Sequence, residues 1–138
     1  MEPVLTGGCL CGGVRFRLSE APSSAGYCHC TRCQRRTGGG SSAQARVDGS
    51  SFELLQGEDL VKCWRHPEGG FAKCFCGECG SHLFSRNPDD HTQMSVRMSA
   101  FDTDPGVPLT WRQFVRYAAP WEPIPDDGIE RFEESSRS

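Results

Sequence analysis

Large aliphatic residues and long apolar runs are scarce in this chain of 138 residues. Leu, Ile, Val and Phe number 8, 2, 7 and 8, which together are about 18 % of the sequence. No stretch is apolar enough to cross a bilayer, so we expect no membrane partner. A composition this poor in large apolar residues is typical of disorder only when the net charge is high, and the net charge here is −3. The sequence therefore predicts a folded domain with a small core that needs a further stabiliser.

An excess of charge of one sign is also missing from most of the chain. Residues 122–138 hold six acidic and two basic side chains, which leaves 13 basic and 12 acidic groups in residues 1–121. Phosphate binding requires a clear basic excess, so the neutral body argues against nucleic acid as a partner. The length predicts a single domain over residues 1–138. The acidic residues predict a solvated tail at 122–138, with pinning to the body by Ile129 and Phe132 as the alternative.

Long helical periodicity is absent, whereas short alternating runs recur between Gly and Pro residues. These runs predict an all-β, or mainly β, fold with strands at 14–18, 42–47, 52–55, 60–64, 71–75 and 94–98. One short helix is expected at Thr31–Arg36, where the following Gly38-Gly-Gly40 would end it.

Cysteine is plentiful by contrast, and seven of the nine fall into three clusters: Cys9-Leu-Cys11, Cys28-His-Cys30-Thr-Arg-Cys33 and Cys76-Gly-Glu-Cys79. Thiolates on one zinc ion lie roughly 3.8 Å apart. An extended Cys-x-Cys pair reaches that separation because residues i and i+2 share a face. The Cys-x-x-Cys pair needs a tight turn, for which Gly77 and Gly80 can supply positive φ angles.

Disulfides are the competing explanation for these cysteines. An odd number cannot pair completely within one chain, and neighbours at i+2 rarely bond to each other. The first residues lack the pattern of a signal peptide, so we expect a reducing, cytoplasmic location. Metal ligation is therefore favoured, with zinc as the expected ion, although the same ligands also suit iron.

Seven thiols do not fill two four-coordinate sites, so one site should keep an open position. Cys28, Cys30 and Cys33 lie within six residues and can cap one face of an ion. The remaining four, Cys9, Cys11, Cys76 and Cys79, then form a closed structural site. Because catalytic zinc keeps a position for water or substrate, the three-cysteine site is the candidate catalytic centre. Two zinc ions per chain are expected.

Cys63 and Cys74 are left over, and a predicted hairpin around His66-Pro-Glu-Gly-Gly70 places them opposite each other. We expect free core thiols here, with a cross-strand disulfide or a spare metal ligand as alternatives.

Several charged or polar residues adjoin the three-cysteine cluster. Arg32, Arg35 and Arg36 are weak candidates for receiving a substrate carboxylate, and the alternative is a solvated helix face. His29 should point away from the ion, in a packing or hydrogen-bonding role.

Four segments together resemble the glutathione-dependent formaldehyde-activating enzyme (GFA) family, whose domain is shared with centromere protein V. They are Gly7-Gly-Cys-Leu-Cys-Gly-Gly-Val-Arg-Phe16, Tyr27-Cys-His-Cys-Thr-Arg-Cys-Gln-Arg-Arg-Thr-Gly38, Phe75-Cys-Gly-Glu-Cys-Gly-Ser-His-Leu-Phe84 and Ala118-Ala-Pro-Trp121. The resemblance spans a core at about residues 6–121 and implies a β-tent, Mss4-like fold with the same division into a structural and a catalytic zinc site. It also implies addition of glutathione to formaldehyde, or the reverse carbon–sulfur lyase reaction.

The expected function is thus zinc-dependent formation or cleavage of a C–S bond between a small thiol and a small aldehyde. The main alternative is a non-catalytic zinc module that binds a protein partner or a small thiol. A methionine sulfoxide reductase is disfavoured, because its two isolated Cys-x-x-Cys pairs are not both present. The sequence assigns no oligomeric state.

Overall fold

The computed structural model describes residues 4–137, which form two compact units. One unit comprises residues 4–23 and 45–107, and the other comprises residues 24–44 and 108–137. In the described residues, no helix has the length and apolar character needed to cross a membrane. The mainly β fold class is confirmed.

The first unit contains two antiparallel sets of strands. The strands are β1 (Leu5–Gly8), β2 (Arg15–Leu18), β5 (Phe52–Gln56), β6 (Val61–Trp64), β7 (Ala72–Cys76), β8 (His82–Asn87) and β9 (Asp90–Arg97). One set has the order β1-β2-β5 and the other the order β9-β8-β7-β6. Short 3-10 turns lie at Gly49–Ser51, Glu58–Leu60 and Met98–Ala100.

A cluster of aromatic rings forms the core of this unit. Phe16 is fully buried, stacks on Phe52 at 5.1 Å between ring centroids, and meets Phe101 edge-on at 5.9 Å. Phe52 also lies 4.8 Å from Phe84. Burying each such side chain contributes about 2–3 kcal/mol, so a few large rings replace the aliphatic residues that the sequence lacks.

The second unit joins parallel strands to the one α-helix of residues 4–137. It contains β3 (Ser24–Cys28), α1 (Thr31–Thr37), β10 (Leu109–Gln113) and β11 (Glu130–Arg131), in the strand order β11-β10-β3, and a 3-10 turn at Val115–Tyr117. The chain passes from this unit to the other within β4 (Ser42–Asp48). Trp111 packs across Gly26, where an added Cβ would come within 2.0 Å of the indole ring. A glycine is therefore required at that point of β3.

Residues of the acidic segment lie along β10. The backbone N–H of Phe132 donates to the carbonyl of Arg112 at 2.8 Å, and Phe114 donates to the carbonyl of Glu134 at 2.8 Å. The acidic segment, residues 122–138, thus pairs with β10 through β11 and through the residues that follow it.

The six strands expected from alternating patterns are all present, with ends that differ by a few residues. The helix is confirmed as well, and Gly38 ends it in the left-handed conformation at φ 74°. The hairpin register Cys63↔Cys74 is also confirmed. The preference for free thiols there is wrong, because Cys63 and Cys74 form a disulfide. Directly opposed residues in an antiparallel pair bring their Cβ atoms within bonding reach, which favours the disulfide.

Candidate functional site

The first unit brings four predicted ligands together. The Sγ atoms of Cys9, Cys11, Cys76 and Cys79 all lie within 4.8 Å of one another. The separation is 3.5 Å from Cys9 to Cys11 and 3.9 Å from Cys11 to Cys76. These spacings match thiolates arranged around one tetrahedral ion.

Two turns place these sulfurs. After β1 the chain reverses through Gly12, at φ 79°, whose N–H donates to the carbonyl of Cys9 at 3.1 Å. The expectation of an extended Cys9–Cys11 segment is therefore wrong, because this turn brings the two sulfurs together. In the second turn Gly80, at φ 79°, donates to the carbonyl of Cys76 at 2.8 Å. A positive φ is confirmed at Gly80 but not at Gly77.

Ser81 is a residue of this site that sequence reasoning missed. Its Oγ accepts a hydrogen bond from the backbone N–H of Leu10 at 2.9 Å and lies 3.2 Å from the Sγ of Cys79. Hydrogen bonds from the side chain and backbone of Ser81 lower the pKa of Cys79 to about 5. Ser81 thereby links the two turns and favours the thiolate that a metal needs.

The opposite shift occurs at Cys11. The backbone N–H of Gly13 lowers its pKa, but the neighbouring sulfurs of Cys9 and Cys79 outweigh this and raise the pKa to about 12. Four sulfurs this close cannot all carry a charge without a cation among them.

The second unit brings the other three predicted ligands together. The Sγ atoms of Cys28, Cys30 and Cys33 lie within 4.8 Å of one another. Cys28 ends β3, Cys30 precedes the first residue of α1, and Cys33 lies in its first turn. Cys28 and Cys33 are buried, whereas Cys30 is half-buried, so the cluster meets solvent at Cys30.

The local electrostatics of this cluster also favour a bound cation. Hydrogen bonds with Cys30 and Cys33, followed by burial, raise the pKa of Cys28 far above its ordinary value. The backbone N–H of Cys33 donates to the Sγ of Cys30 at 3.3 Å, which partly offsets the charge of that sulfur.

His29 is not part of the three-sulfur cluster and lies in a buried polar network. Its Nε2 accepts a hydrogen bond from the guanidinium of Arg112 at 3.2 Å, which places the ring proton on Nδ1. The same guanidinium donates to Asp127 at 2.7 Å and lies 4.2 Å from the centroid of the Tyr27 ring. Burial, and then the charge of Arg112, lowers the pKa of His29. The packing and hydrogen-bonding role expected for His29 is confirmed.

Backbone hydrogen bonds hold the segment that carries the three cysteines. The N–H of His29 donates to the carbonyl of Gln113 at 3.0 Å. The side-chain amide of Gln34 donates to the carbonyls of His29 and Tyr117, each at 2.9 Å. The residue before Cys30 is thus held at both its N–H and its carbonyl, and α1 is tied to Tyr117 through Gln34.

The candidate substrate-binding arginines differ in exposure. Arg35 is exposed on α1, while Arg32 and Arg36 are half-buried and engaged with other groups. Close by in the chain, Gly40 is buried where an added Cβ would overlap the carboxylate of Glu122.

Both clusters fit a thiophilic metal by the chemistry of their donors. Each offers soft sulfur ligands only, at separations that suit zinc or iron. Four sulfurs can complete a tetrahedral shell, whereas three leave one position of it open.

Comparison with known proteins agrees with these motifs. A sequence profile described as glutathione-dependent formaldehyde-activating enzyme matches residues 4–116. A Halomonas elongata protein named "Putative glutathione-dependent formaldehyde-activating enzyme" is 28% identical over 106 residues, which cover 73% of this chain and 68% of that protein. A crystal structure of a Rhodobacter sphaeroides protein matches with a TM-score of 0.58 and 21% identity, over 93% of this chain and 99% of that one. At this identity the structural likeness shows the fold alone.

Proposed function

Because the chain belongs to the glutathione-dependent formaldehyde-activating enzyme family, we propose that it catalyses reversible addition of a small thiol to formaldehyde or another small aldehyde. The thiol sulfur bonds to the carbonyl carbon, and the thiol proton ends on the aldehyde oxygen. Glutathione is the first candidate thiol, as the names of the family and of its Halomonas elongata relative suggest. The observation that carries the proposal is the three-sulfur cluster that meets solvent at Cys30.

Cys28, Cys30 and Cys33 would hold the catalytic zinc ion, and Cys9, Cys11, Cys76 and Cys79 would hold the structural one. A zinc ion bound by three thiolates supplies Lewis acidity at an open position and lowers the pKa of an entering thiol from about 8.5 towards neutrality. A reducing cytoplasm would keep all seven cysteines available as ligands.

The surrounding residues would orient the reactants. A hydrogen bond from Gln34 to the carbonyl of His29 and one from the N–H of His29 to Gln113 fix the residue that precedes Cys30, so the backbone that carries its sulfur has a defined position. The exposed Arg35 is the best placed of the three candidate arginines to receive a carboxylate of a thiol such as glutathione. Loss of Arg35 should therefore raise KM for glutathione more than it lowers kcat.

The test is thiol-dependent consumption of formaldehyde above the spontaneous background, with glutathione compared with other small thiols. Cys30→Ser should lose this turnover together with about one equivalent of metal, because one of three ligands is removed. Thr31→Ser changes the exposed neighbour of Cys30 and is the matched control. This variant should keep the turnover and the full metal content. Equal turnover in the wild type and Cys30→Ser, with every thiol tried, would refute the enzyme proposal. Thiol binding without turnover would instead favour the non-catalytic module.

A further inference from the structure

The disulfide between Cys63 and Cys74 lies outside both metal clusters. It joins the opposed residues of β6 and β7, with an S–S distance of 2.06 Å. The two residues differ in access, because Cys63 is exposed while Cys74 is only 3 % exposed. One end of the bond is therefore open to solvent and the other is shielded.

The strand order accounts for this difference. β7 lies between β6 and β8, and Phe84 of β8 stands directly opposite Cys74 and is buried. β6 is the outermost strand of this set, and among the described residues no strand pairs with its outer edge. A thiol can therefore approach Cys63 from solvent, whereas Cys74 is covered on both sides.

We propose that the Cys63–Cys74 disulfide is a thiol-exchange site that accepts a small thiol as a mixed disulfide on Cys63. The incoming thiolate bonds to the Sγ of Cys63, the Cys63–Cys74 bond breaks, and Cys74 leaves with the electron pair and takes up a proton. The reverse step restores the disulfide, because Cys74 remains opposite Cys63 and can expel the small thiol. A second thiol can instead attack the small-thiol sulfur of the mixed disulfide; the bond to Cys63 breaks, the two small thiols leave as their disulfide, and both cysteines end reduced.

Charge on the hairpin favours an anionic thiol such as glutathione. Residues 61–76 contain three basic side chains, Lys62, Arg65 and Lys73, against one acid, Glu68. The Nε of Arg65 donates to the carbonyl of Gly70 at 2.9 Å, which holds that cation against the hairpin. A local excess of positive charge raises the concentration of anions near Cys63. Exposed disulfides are also the ones that exchange readily with small thiols.

The proposal rests on this disulfide and not on the proposed carbon–sulfur chemistry, so its experiment omits aldehyde. The full-length protein is incubated with reduced and oxidised glutathione at stepped ratios, free thiols are blocked, and peptides are mapped by mass spectrometry. In the wild type, the fraction of Cys63–Cys74 disulfide should fall as the proportion of reduced glutathione increases. The glutathione adduct should then be found on Cys63. A disulfide that persists unchanged in excess reduced glutathione would overturn the proposal.

Two single variants separate the roles of the sulfurs. Cys74→Ser cannot reclose and should accumulate the adduct on Cys63 when treated with oxidised glutathione. Cys63→Ser is the matched control, and its buried Cys74 should be labelled about tenfold less. Equal labelling in the two variants, or preferential labelling of Cys74, would contradict the assignment even if turnover with aldehyde is normal.

Discussion

Arg112 is the residue whose replacement tests the buried network behind the three-cysteine cluster most sharply. Its side chain is 7 % exposed and contacts His29, Asp127 and the Tyr27 ring. Arg112→Met keeps most of the apolar stem but removes the guanidinium. The ring nitrogen of His29 then loses its donor in a buried position, and Tyr27 loses the cation above its face.

The expected loss of unfolding free energy follows from these lost contacts. A buried acceptor left without a donor costs about 1–3 kcal/mol, and a desolvated cation–π contact contributes about 1–2 kcal/mol. Asp127, whose side chain is 28 % exposed, can return to water and is left out of this sum. The variant also avoids the desolvation cost of a buried guanidinium, which offsets part of the lost stability. We expect Arg112→Met to lower the free energy of unfolding by about 2 kcal/mol, or Tm by roughly 4–8 °C.

The assay is thermal and urea unfolding at a fixed free zinc concentration. The matched control is Arg116→Met, because Arg116 pairs with Glu134 at 2.7 Å but both side chains are about half exposed. An exposed ion pair contributes little, so this control should unfold like the wild type. If Arg112→Met and Arg116→Met unfold at the same midpoint, the network does not support the fold as described.

The same network predicts a pH dependence. The hydrogen bond from Arg112 holds the pKa of Asp127 below its ordinary value. A depressed folded pKa stabilises the fold above the unfolded pKa, and this stabilisation is lost as pH falls through the folded value. The difference in stability between the wild type and Asp127→Asn should therefore be present at neutral pH, begin to fall near about pH 4, and disappear only below the depressed folded pKa of Asp127.

Three further substitutions test the other elements. Cys76→Ser should unfold or aggregate the protein, because it removes a buried thiolate from the site to which this lean core is linked; a soluble variant with unchanged Tm would refute that role. Gly26→Ala should cost about 1–3 kcal/mol, because its Cβ overlaps Trp111, whereas Gly39→Ala, with no atom closer than 3.8 Å, should be near neutral in urea unfolding. Ser81→Ala should weaken zinc binding about 10–100-fold in chelator competition, because Cys79 loses its hydroxyl partner; unchanged affinity would contradict this.

Six strands with alternating side chains could be predicted from the sequence, whereas β3 could not. β3 reads Ser24-Ala-Gly-Tyr-Cys28, which has little alternation and little β propensity. This segment forms a strand because of tertiary packing: Gly26 leaves room for the side chain of Trp111, which comes from a distant part of the chain. Local pattern carries no information about such a neighbour.

The candidate site divides in the same way. The sulfurs within each motif could be grouped from spacing, because each motif brings its own sulfurs together locally. The joining of Cys9 and Cys11 with Cys76 and Cys79 followed from counting ligands, and the structure brings these two motifs together across 65 positions. The partners that hold these motifs could not be predicted: Ser81 binds Leu10 over 71 positions, and Arg112 binds His29 over 83. The Cys63–Cys74 disulfide was predictable as a register pair but not as a bond, because the sequence pattern does not report oxidation state.

The two cysteine clusters are proposed to bind one zinc ion each, the four-cysteine cluster for the fold and the three-cysteine cluster for the reaction. Native mass spectrometry tests this most directly. The wild-type protein, purified without chelator, should carry two zinc ions per chain. Cys30→Ser should carry one and keep the β fold by circular dichroism, because the four-sulfur site is intact. A wild type with no bound metal, or a Cys30→Ser protein that still carries two ions, would contradict the account.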